Sequence, residues 1–301
     1  MIPLQTYWQE KSRAVEKALE TLLPKESEYP PLIHQAMRYA VLGGGKRFRS
    51  ALTLATNEML GGKDEGALVP ACATELIHCY SLVHDDLPLM DNAELRRGKP
   101  SCHKKYGEAV ALLAGDALLT HAFQLLGTLT PSEKSSRLVL EISKAAGTGG
   151  MIGGQLLDIL SFGRKNSRIS KAAGTGGMIG GQLLDILSSE KKDLALKNLD
   201  DVNRRKTGAL IQASCLMGSI VGGASNEEEK RILKFGECLG FAFQVVDDII
   251  DGDGYLVFMS KEEARKKAAA LIEEAKEALS PFEKAGERLC LMADLVFERA
   301  R

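Results

Sequence analysis

The stretch SKEEARKKAAALIEEAKEAL, residues 260–279, sets Ala264, Ala268, Leu271, Ile272, Ala275 and Leu279 on one stripe at helical spacing. Ser260 followed by Glu263 reads as a capping box, and Glu262–Lys266 and Glu263–Lys267 are supportive pairs four residues apart. A second segment, ACATELIHCYSLVHDD (71–86), predicts a strong helix ended by Pro88. Glycine and proline punctuation in LGGGK, LGGKDEG and RRGKPS separates such segments, and no run alternates convincingly as a strand. Aromatics are scarce at 5%, while Ala, Leu, Glu and Lys are plentiful. The expectation is an all-α bundle.

A chain of 301 residues with 45% hydrophobic content can bury a sizeable core, as one large domain or two ordinary ones. Its net charge of −1 argues against a general nucleic-acid binder, which needs an excess of Lys and Arg. The six cysteines form no CxxC pair, and Cys72 and Cys79, two helical turns apart, read as small core residues. Reduced thiols and a cytoplasmic setting are expected. The opening MIPLQTYWQEKSRAVEKAL has no signal-type apolar core. The most apolar window, GALIQASCLMGSIVGGA (208–224), is interrupted by Gln212 and two serines, so a buried core helix is expected there and not a membrane span.

One repeat stands out. ISKAAGTGGMIGGQLLDILS occurs twice without a difference, at 142–161 and 169–188. Solenoid repeats drift and need three or more copies, so two identical ones read as a duplication without a function of its own. Two superficial motifs fail. GGGKRFR lacks a P-loop's glycine six residues before Lys46 and its Ser/Thr after it, those positions being Ala40 and Arg47. GTGGMIGG has Ile152 where a dinucleotide fingerprint needs its third glycine.

Two acidic clusters carry the chemistry. In HDDLPLMDNAELRRGKP (84–100), Asp85, Asp86 and Asp91 stand beside Arg96, Arg97 and Lys99. A surface salt-bridge network is one reading. The other is that aspartates hold metal ions, metal ions hold phosphates, and arginines hold the remaining phosphate oxygens. In FQVVDDIID (243–251), Gln244, Asp247, Asp248 and Asp251 share one helical face, with Val245, Val246, Ile249 and Ile250 assigned to the other. The flanks of this helix are apolar and offer no lysine, which disfavours simple ion pairing. Glu75, His78, Leu82 and Asp85 share a face as well, so His78 points the same way as the first aspartates. Lys46, Arg47 and Arg49 follow a glycine run and Lys206 lies in RRKTG. These cations suffice for two diphosphates.

Taken in order, GGGKRFR, ELIHCYSLVHDDLPLMD, LRRGKP, AGDALL, MIGGQLLD, KTG and FQVVDDIID make the chain resemble the trans-isoprenyl diphosphate synthases, most closely the bacterial type of farnesyl diphosphate synthase. The resemblance implies a single polyprenyl synthetase domain over 1–301, a helical bundle with a central diphosphate and magnesium cavity, and a homodimer. It implies head-to-tail condensation of isopentenyl diphosphate with dimethylallyl or geranyl diphosphate. Farnesyl diphosphate is the expected product. Geranylgeranyl diphosphate synthase and a non-catalytic partner subunit are the alternatives.

By matched position, Asp85, Asp86, Asp91, Asp247, Asp248 and Asp251 would hold three Mg²⁺, with Mn²⁺ as a substitute. Lys46, Arg49, His78 and Arg97 would bind isopentenyl diphosphate. Arg96 and Lys206 would bind the allylic diphosphate, Thr207 and Gln244 would line the allylic cation, and Gln182 would line the site. Asp85, Asp91, Lys206, Thr207, Gln244 and Asp247 would act in catalysis. Tyr80, with Ser81 beside it, would floor the pocket and limit the product to fifteen carbons.

The chain departs from the family in three places. Asp251 is followed only by GDG before Tyr255, where the family carries about twenty more residues and a phosphate-binding lysine; Lys261 is a poor substitute in a helix cap. Gln182 lies 24 residues before Lys206, close to the family's spacing, and Gln155 lies 51 before it, so Gln182 and Asp185 are the preferred copy. Ser50 stands where the family commonly has proline, with little effect expected.

Overall fold

The computed structural model describes residues 3–162 and 189–300. Its elements are α1 (Leu4–Leu22), α2 (Pro31–Leu42), α3 (Phe48–Met59), α4 (Asp64–Asp85), the two-residue strands β1 (Leu95–Arg96) and β2 (Lys99–Pro100), α5 (Cys102–Tyr106), α6 (Glu108–Gly127), α7 (Ser132–Ala146) and α8 (Met151–Phe162). After the second sequence copy come α9 (Ser189–Asn203), a π-helical turn (Arg204–Gly208), α10 (Ala209–Gly222), α11 (Asn226–Asp251), a 3₁₀ turn (Gly254–Val257), α12 (Lys261–Ala278), a further 3₁₀ segment (Ser280–Gly286) and α13 (Glu287–Glu298). The fold is all-α. The described structure divides into two compact units, Met1–Ser143 with Ser214–Glu229, and Lys144–Ala213 with Lys230–Arg301.

In the first unit α4 is the central element. Asp64 and Glu65 in its first turn suit the positive end of the helix dipole. Its residues from Ala71 to Ile77 are all buried, as are Cys79, Tyr80 and Val83. Burial pushes the Cys72 and Cys79 thiols up to about 12, as befits small core residues. By length and composition α4 and α6 could each cross a bilayer, but α4 is largely enclosed within its unit, as a core helix is. The apolar segment around Leu210–Met217 is likewise a buried helix.

In the second unit α12 is built as its sequence predicts. Ser260 Oγ accepts from Glu263 N–H at 3.2 Å, and Glu263 returns by accepting from Ser260 N–H at 2.8 Å. Ala264, Ala268, Ile272, Ala275 and Leu279 are buried along its inner stripe, with Leu271 half-buried. Glu262 pairs with Lys266 at 2.9 Å. The expected Glu263–Lys267 pair is replaced: Glu263 closes the capping box, while Lys267 reaches Asp200 at 3.2 Å and lies over the rings of Phe241 and Tyr255. A carboxylate engaged by a cap is a poor partner one turn on.

Candidate functional site

In the first unit the helix α4 ends where its sequence demands. Pro88 cannot donate into a continuing helix, so the chain turns back and Asp91 N–H donates to Asp85 O at 2.8 Å. Asp85 and Asp91 are thereby joined through the backbone. Asp86 is 2% exposed and accepts from Arg96 Nε at 3.1 Å to each oxygen and from Arg96 Nη2. This forked geometry is what arginine offers a carboxylate.

Arg96 stands on a minimal antiparallel ribbon, with Leu95 opposite Pro100 and Arg96 opposite Lys99. The ribbon's turn puts Arg97 at φ 54° and Gly98 at φ 75°, the double positive φ of a tight hairpin. From that strained position Arg97 lays its guanidinium over Gly45 and donates to Gly44 O. A Cβ on Gly45 would lie 2.8 Å from the guanidinium carbon, so the glycine run is what lets Arg97 approach. Gly43, Asp86, Arg96, Arg97 and Lys99 line an open cleft of about 440 Å³.

His78 lies on the face of α4 turned to this basic group. Burial, and then the charges of Arg49, Arg97, Arg96 and Arg47, hold its imidazole well below the ordinary range, so it is neutral at physiological pH. Lys46 is exposed and Arg49 half-buried. Arg47, counted in the sequence with the phosphate cations, is 2% exposed and turned inward to Glu75, with Arg47 Nη1 donating to Glu75 Oε1 at 2.9 Å. It is unavailable to phosphate. Tyr80 is buried edge-on against His84, and Ser81 Oγ donates to His78 O at 2.9 Å.

In the second unit the site is built on a helix defect. RRKTG forms a π-helical turn, whose wider backbone re-aims Lys206 and Thr207 relative to a regular helix. Thr207 Oγ1 donates to Gln244 Oε1 at 2.9 Å, and Gln244 Nε2 donates to Asp248 Oδ1 at 2.8 Å. Asp248 is 5% exposed and also accepts from Tyr255 N–H at 3.0 Å, a bond made possible because the chain turns directly after Asp251. Burial raises the Asp248 carboxyl to about 6, and the like charges of Asp253 and Asp247 add to the shift.

Asp247 accepts from Arg299 at 2.6 Å, a cation 52 residues away that the apolar flanks of α11 did not disclose. Asp251 is exposed. So is Ile250, at 50%, in the last turn of α11, whereas Val245, Val246 and Ile249 on the same side are buried. Lys261 is exposed at the first position of α12, as its place beside the cap requires.

Lys206 Nζ donates to Asp158 Oδ2 at 2.5 Å. Gly154 sits against the same turn, where a Cβ would fall 2.3 Å from Lys206 N. Arg205 Nη1 donates to Gly149 O at 3.0 Å. These three contacts all come from the first copy of the repeat. Gln182 and Asp185 lie outside the described residues; Gln155, half-buried on α8, is the described counterpart.

The donors in both acidic sets are carboxylate oxygens, which suit a hard divalent cation such as Mg²⁺. Among the described residues no group of three His, Cys, Asp or Glu side chains is placed to hold a metal ion by itself. The raised pKa of Asp248, buried beside other carboxylates, is what a nearby cation would relieve.

The profile of the polyprenyl synthetases matches residues 30–280, which contain both acidic clusters and every cation named above except Arg299. The chain belongs to the polyprenyl synthetase family. Its relatives within the family include large subunit 1 of the heterodimeric geranylgeranyl pyrophosphate synthase of Arabidopsis thaliana, 44% identical over 80% of this chain and 59% of that protein. The chain thus spans about three-fifths of that relative's length. A geranylgeranyl diphosphate synthase of Cyanophora paradoxa is 36% identical over 98% of this chain and 96% of its own. Among solved structures, an FPP/GFPP synthase of Zymomonas mobilis superposes with a TM-score of 0.84 at 31% identity, covering 98% of both chains. Family members of this kind are trans-isoprenyl diphosphate synthases with an all-α fold.

Sequence reasoning missed Asp158, Arg299, Tyr255 and the inward role of Arg47. The copy preferred from its spacing to Lys206, with Gln182 and Asp185, lies outside the described residues, and the Lys206 partner that is described, Asp158, belongs to the first copy. The signal for Tyr255 was present in the short GDGY turn, which leaves no room for anything but a backbone return to α11.

Proposed function

We propose that this protein is a prenyltransferase that condenses isopentenyl diphosphate with allylic diphosphates, and that its main product is geranylgeranyl diphosphate. The observation that carries the reaction class is the gathering of Arg49, Arg97 and Arg96 around the neutral His78, on the helix that ends in Asp85 and Asp86. Arg96 is countered by Asp86, and the positive charge gathered around a neutral imidazole suits a polyanionic ligand. The curated relatives named above are geranylgeranyl synthases, which favours a twenty-carbon product over the farnesyl product expected from Tyr80.

In this reading Lys46, Arg49, His78 and Arg97 hold isopentenyl diphosphate, and the imidazole, being neutral, can accept or donate a hydrogen bond without repelling the arginines. Arg96 and Lys206 hold the allylic diphosphate. Asp85, Asp86, Asp91, Asp247, Asp248 and Asp251 would hold magnesium, probed by three-ion stoichiometry and manganese substitution. When bound, the metal supplies charge neutralisation on the leaving diphosphate.

The allylic C–O bond breaks, the isopentenyl double bond attacks the resulting cation to form the new C–C bond, and the proton lost goes to the departing diphosphate. Thr207 and Gln244, fixed to each other at 2.9 Å, present neutral oxygens to the cation and do not trap it. We further propose that the chain acts as one synthase domain and as a homodimer. The exposed Leu112 and Leu113 on α6 favour association through that helix.

The test is product length, by chromatography with Mg²⁺, isopentenyl diphosphate and dimethylallyl, geranyl or farnesyl diphosphate as acceptor. A twenty-carbon product is expected. A fifteen-carbon product would restore Tyr80 as the floor. No product from folded, metal-loaded protein would leave the non-catalytic subunit, with the short segment after Asp251 as its cause.

A further inference from the structure

Arg47 occupies an unusual position. It is the residue before α3, it has a left-handed backbone at φ 51°, ψ 34°, and it is 2% exposed. Left-handed backbone is uncommon for any side chain other than glycine, and an ion is costly to bury. One set of contacts offsets much of both costs, although Arg47 Nε is buried without a hydrogen-bond partner. Arg47 Nη1 donates to Glu75 Oε1 at 2.9 Å, Nη2 donates to Val41 O at 2.7 Å, and Nε lies 3.7 Å from Glu16 Oε1. The other oxygen of Glu75 accepts from Ser50 Oγ at 2.7 Å. One guanidinium therefore ties α1, α2 and α4 together beneath the loop Gly43–Arg49.

The consequence for the loop is directional. With Arg47 turned inward, Lys46 before it is exposed and Arg49 stands within electrostatic reach of His78. His78 is itself one turn beyond Glu75 on α4, so the anchor and the ligand face share a helix. The loop is clasped from outside as well: Trp8 Nε1 donates to Lys46 O at 2.6 Å, and its ring stacks on Phe48 with centroids 5.6 Å apart. Trp8 is the single tryptophan of the chain.

We infer that Arg47 and Glu75, with Ser50, are positioning residues that set Lys46 and Arg49 for a diphosphate, and that Trp8 reports occupation of that loop. A buried ion pair is weak evidence for stability, because well-packed apolar residues of similar volume commonly replace it at no loss. What apolar residues cannot do is fix the left-handed backbone that turns Lys46 outward. The inference rests on the reading of Lys46, Arg49 and His78 as the isopentenyl diphosphate site, and its test separates the two.

The test uses the full-length protein. Trp8 emission is titrated with isopentenyl diphosphate, calorimetry gives Kd independently, and KM for each substrate and Tm are measured alongside. Saturable emission change is expected for the unsubstituted chain. The double variant Arg47→Met with Glu75→Leu is expected to keep its Tm while Kd and KM for isopentenyl diphosphate rise by about tenfold or more, with KM for the allylic substrate within about twofold. Glu75→Gln, which keeps the shape and the Ser50 contact, covers the case in which the double variant fails to fold, and should show the same selective rise. Ser50→Ala should give about a threefold rise in the same constant. Lower Tm with unchanged Kd and KM for isopentenyl diphosphate would overturn the inference and leave a purely structural pair. No binding of isopentenyl diphosphate by calorimetry to the unsubstituted protein would overturn the reading of the site, and the inference with it.

Discussion

The two acidic clusters are nearly identical in composition and opposite in support. Asp86 in the first is countered by Arg96, ten residues ahead on a ribbon that the same segment builds. Asp247 in the second is countered by Arg299, 52 residues away, and Asp248 by a backbone N–H from the turn after α11. The first cluster is self-contained and the second is assembled from the rest of its unit. A self-contained cluster is readable from a short sequence window. An assembled one depends on parts that local sequence does not name.

The largest effect should come from asking whether the clusters do the same work. Asp85→Asn and Asp247→Asn should each lower kcat by about a thousandfold or more, the scale of losing one preorganised electrostatic contact to a developing charge. Chelation should abolish turnover and Mg²⁺ restore it. If Asp247→Asn costs less than about tenfold, its pairing with Arg299 is its main role and the symmetry of the clusters breaks.

The duplication offers a comparison that few chains allow, since the same substitution can be made in two identical surroundings of sequence. Asp158→Asn removes the carboxylate that holds Lys206 at 2.5 Å. It should raise KM for the allylic diphosphate by about ten- to thirtyfold, while Asp185→Asn in the second copy should change it by less than about twofold. The reverse ranking would assign the site to the second copy, as the spacing to Lys206 had suggested.

Arg96→Gln tests the self-contained cluster. It leaves Asp86 buried without its forked partner and takes a cation from the cleft. KM for the allylic substrate should rise about tenfold, with a loss of stability of about 1–3 kcal/mol measured by denaturant titration. Stability loss without a change in KM would make Arg96 a counter-ion only.

How much was legible follows the same division. Helices such as α4 and α12 were readable because their stripes, caps and stops lie within a few turns of each residue. The turn from Asp85 to Asp91 was readable from Pro88. What escaped was any outcome settled by competition between distant groups. Lys267 has Glu263 at the right spacing, yet goes to Asp200 because the capping box already holds Glu263. Arg47 looks like its neighbours Lys46 and Arg49, and only Glu75 on another helix shows that it faces inward. Sequence names the charges, whereas packing decides which of them remain for ligands.

The smallest expected effect tests the assembled cluster at its outermost part. Arg299 lies against the ring of Phe243 at 4.9 Å and donates to Asp247, so it holds with a tethered cation the carboxylate proposed to take a divalent one. The two cations compete for the same oxygen. Arg299→Gln should therefore tighten Mn²⁺ binding, read by electron paramagnetic resonance, by about threefold, the worth of a partly exposed ion pair. Asp86 is held by Arg96 in the same way, but Arg96 is also assigned to phosphate, so its loss should weaken substrate binding and not simply free the metal site. Tighter Mn²⁺ in Arg299→Gln with unchanged KM for both substrates would make Arg299 a competitor and nothing more. Weaker Mn²⁺ would mean that Arg299 orients Asp247 for the metal, and the second cluster would then depend on support from a distance for its function as well as its structure.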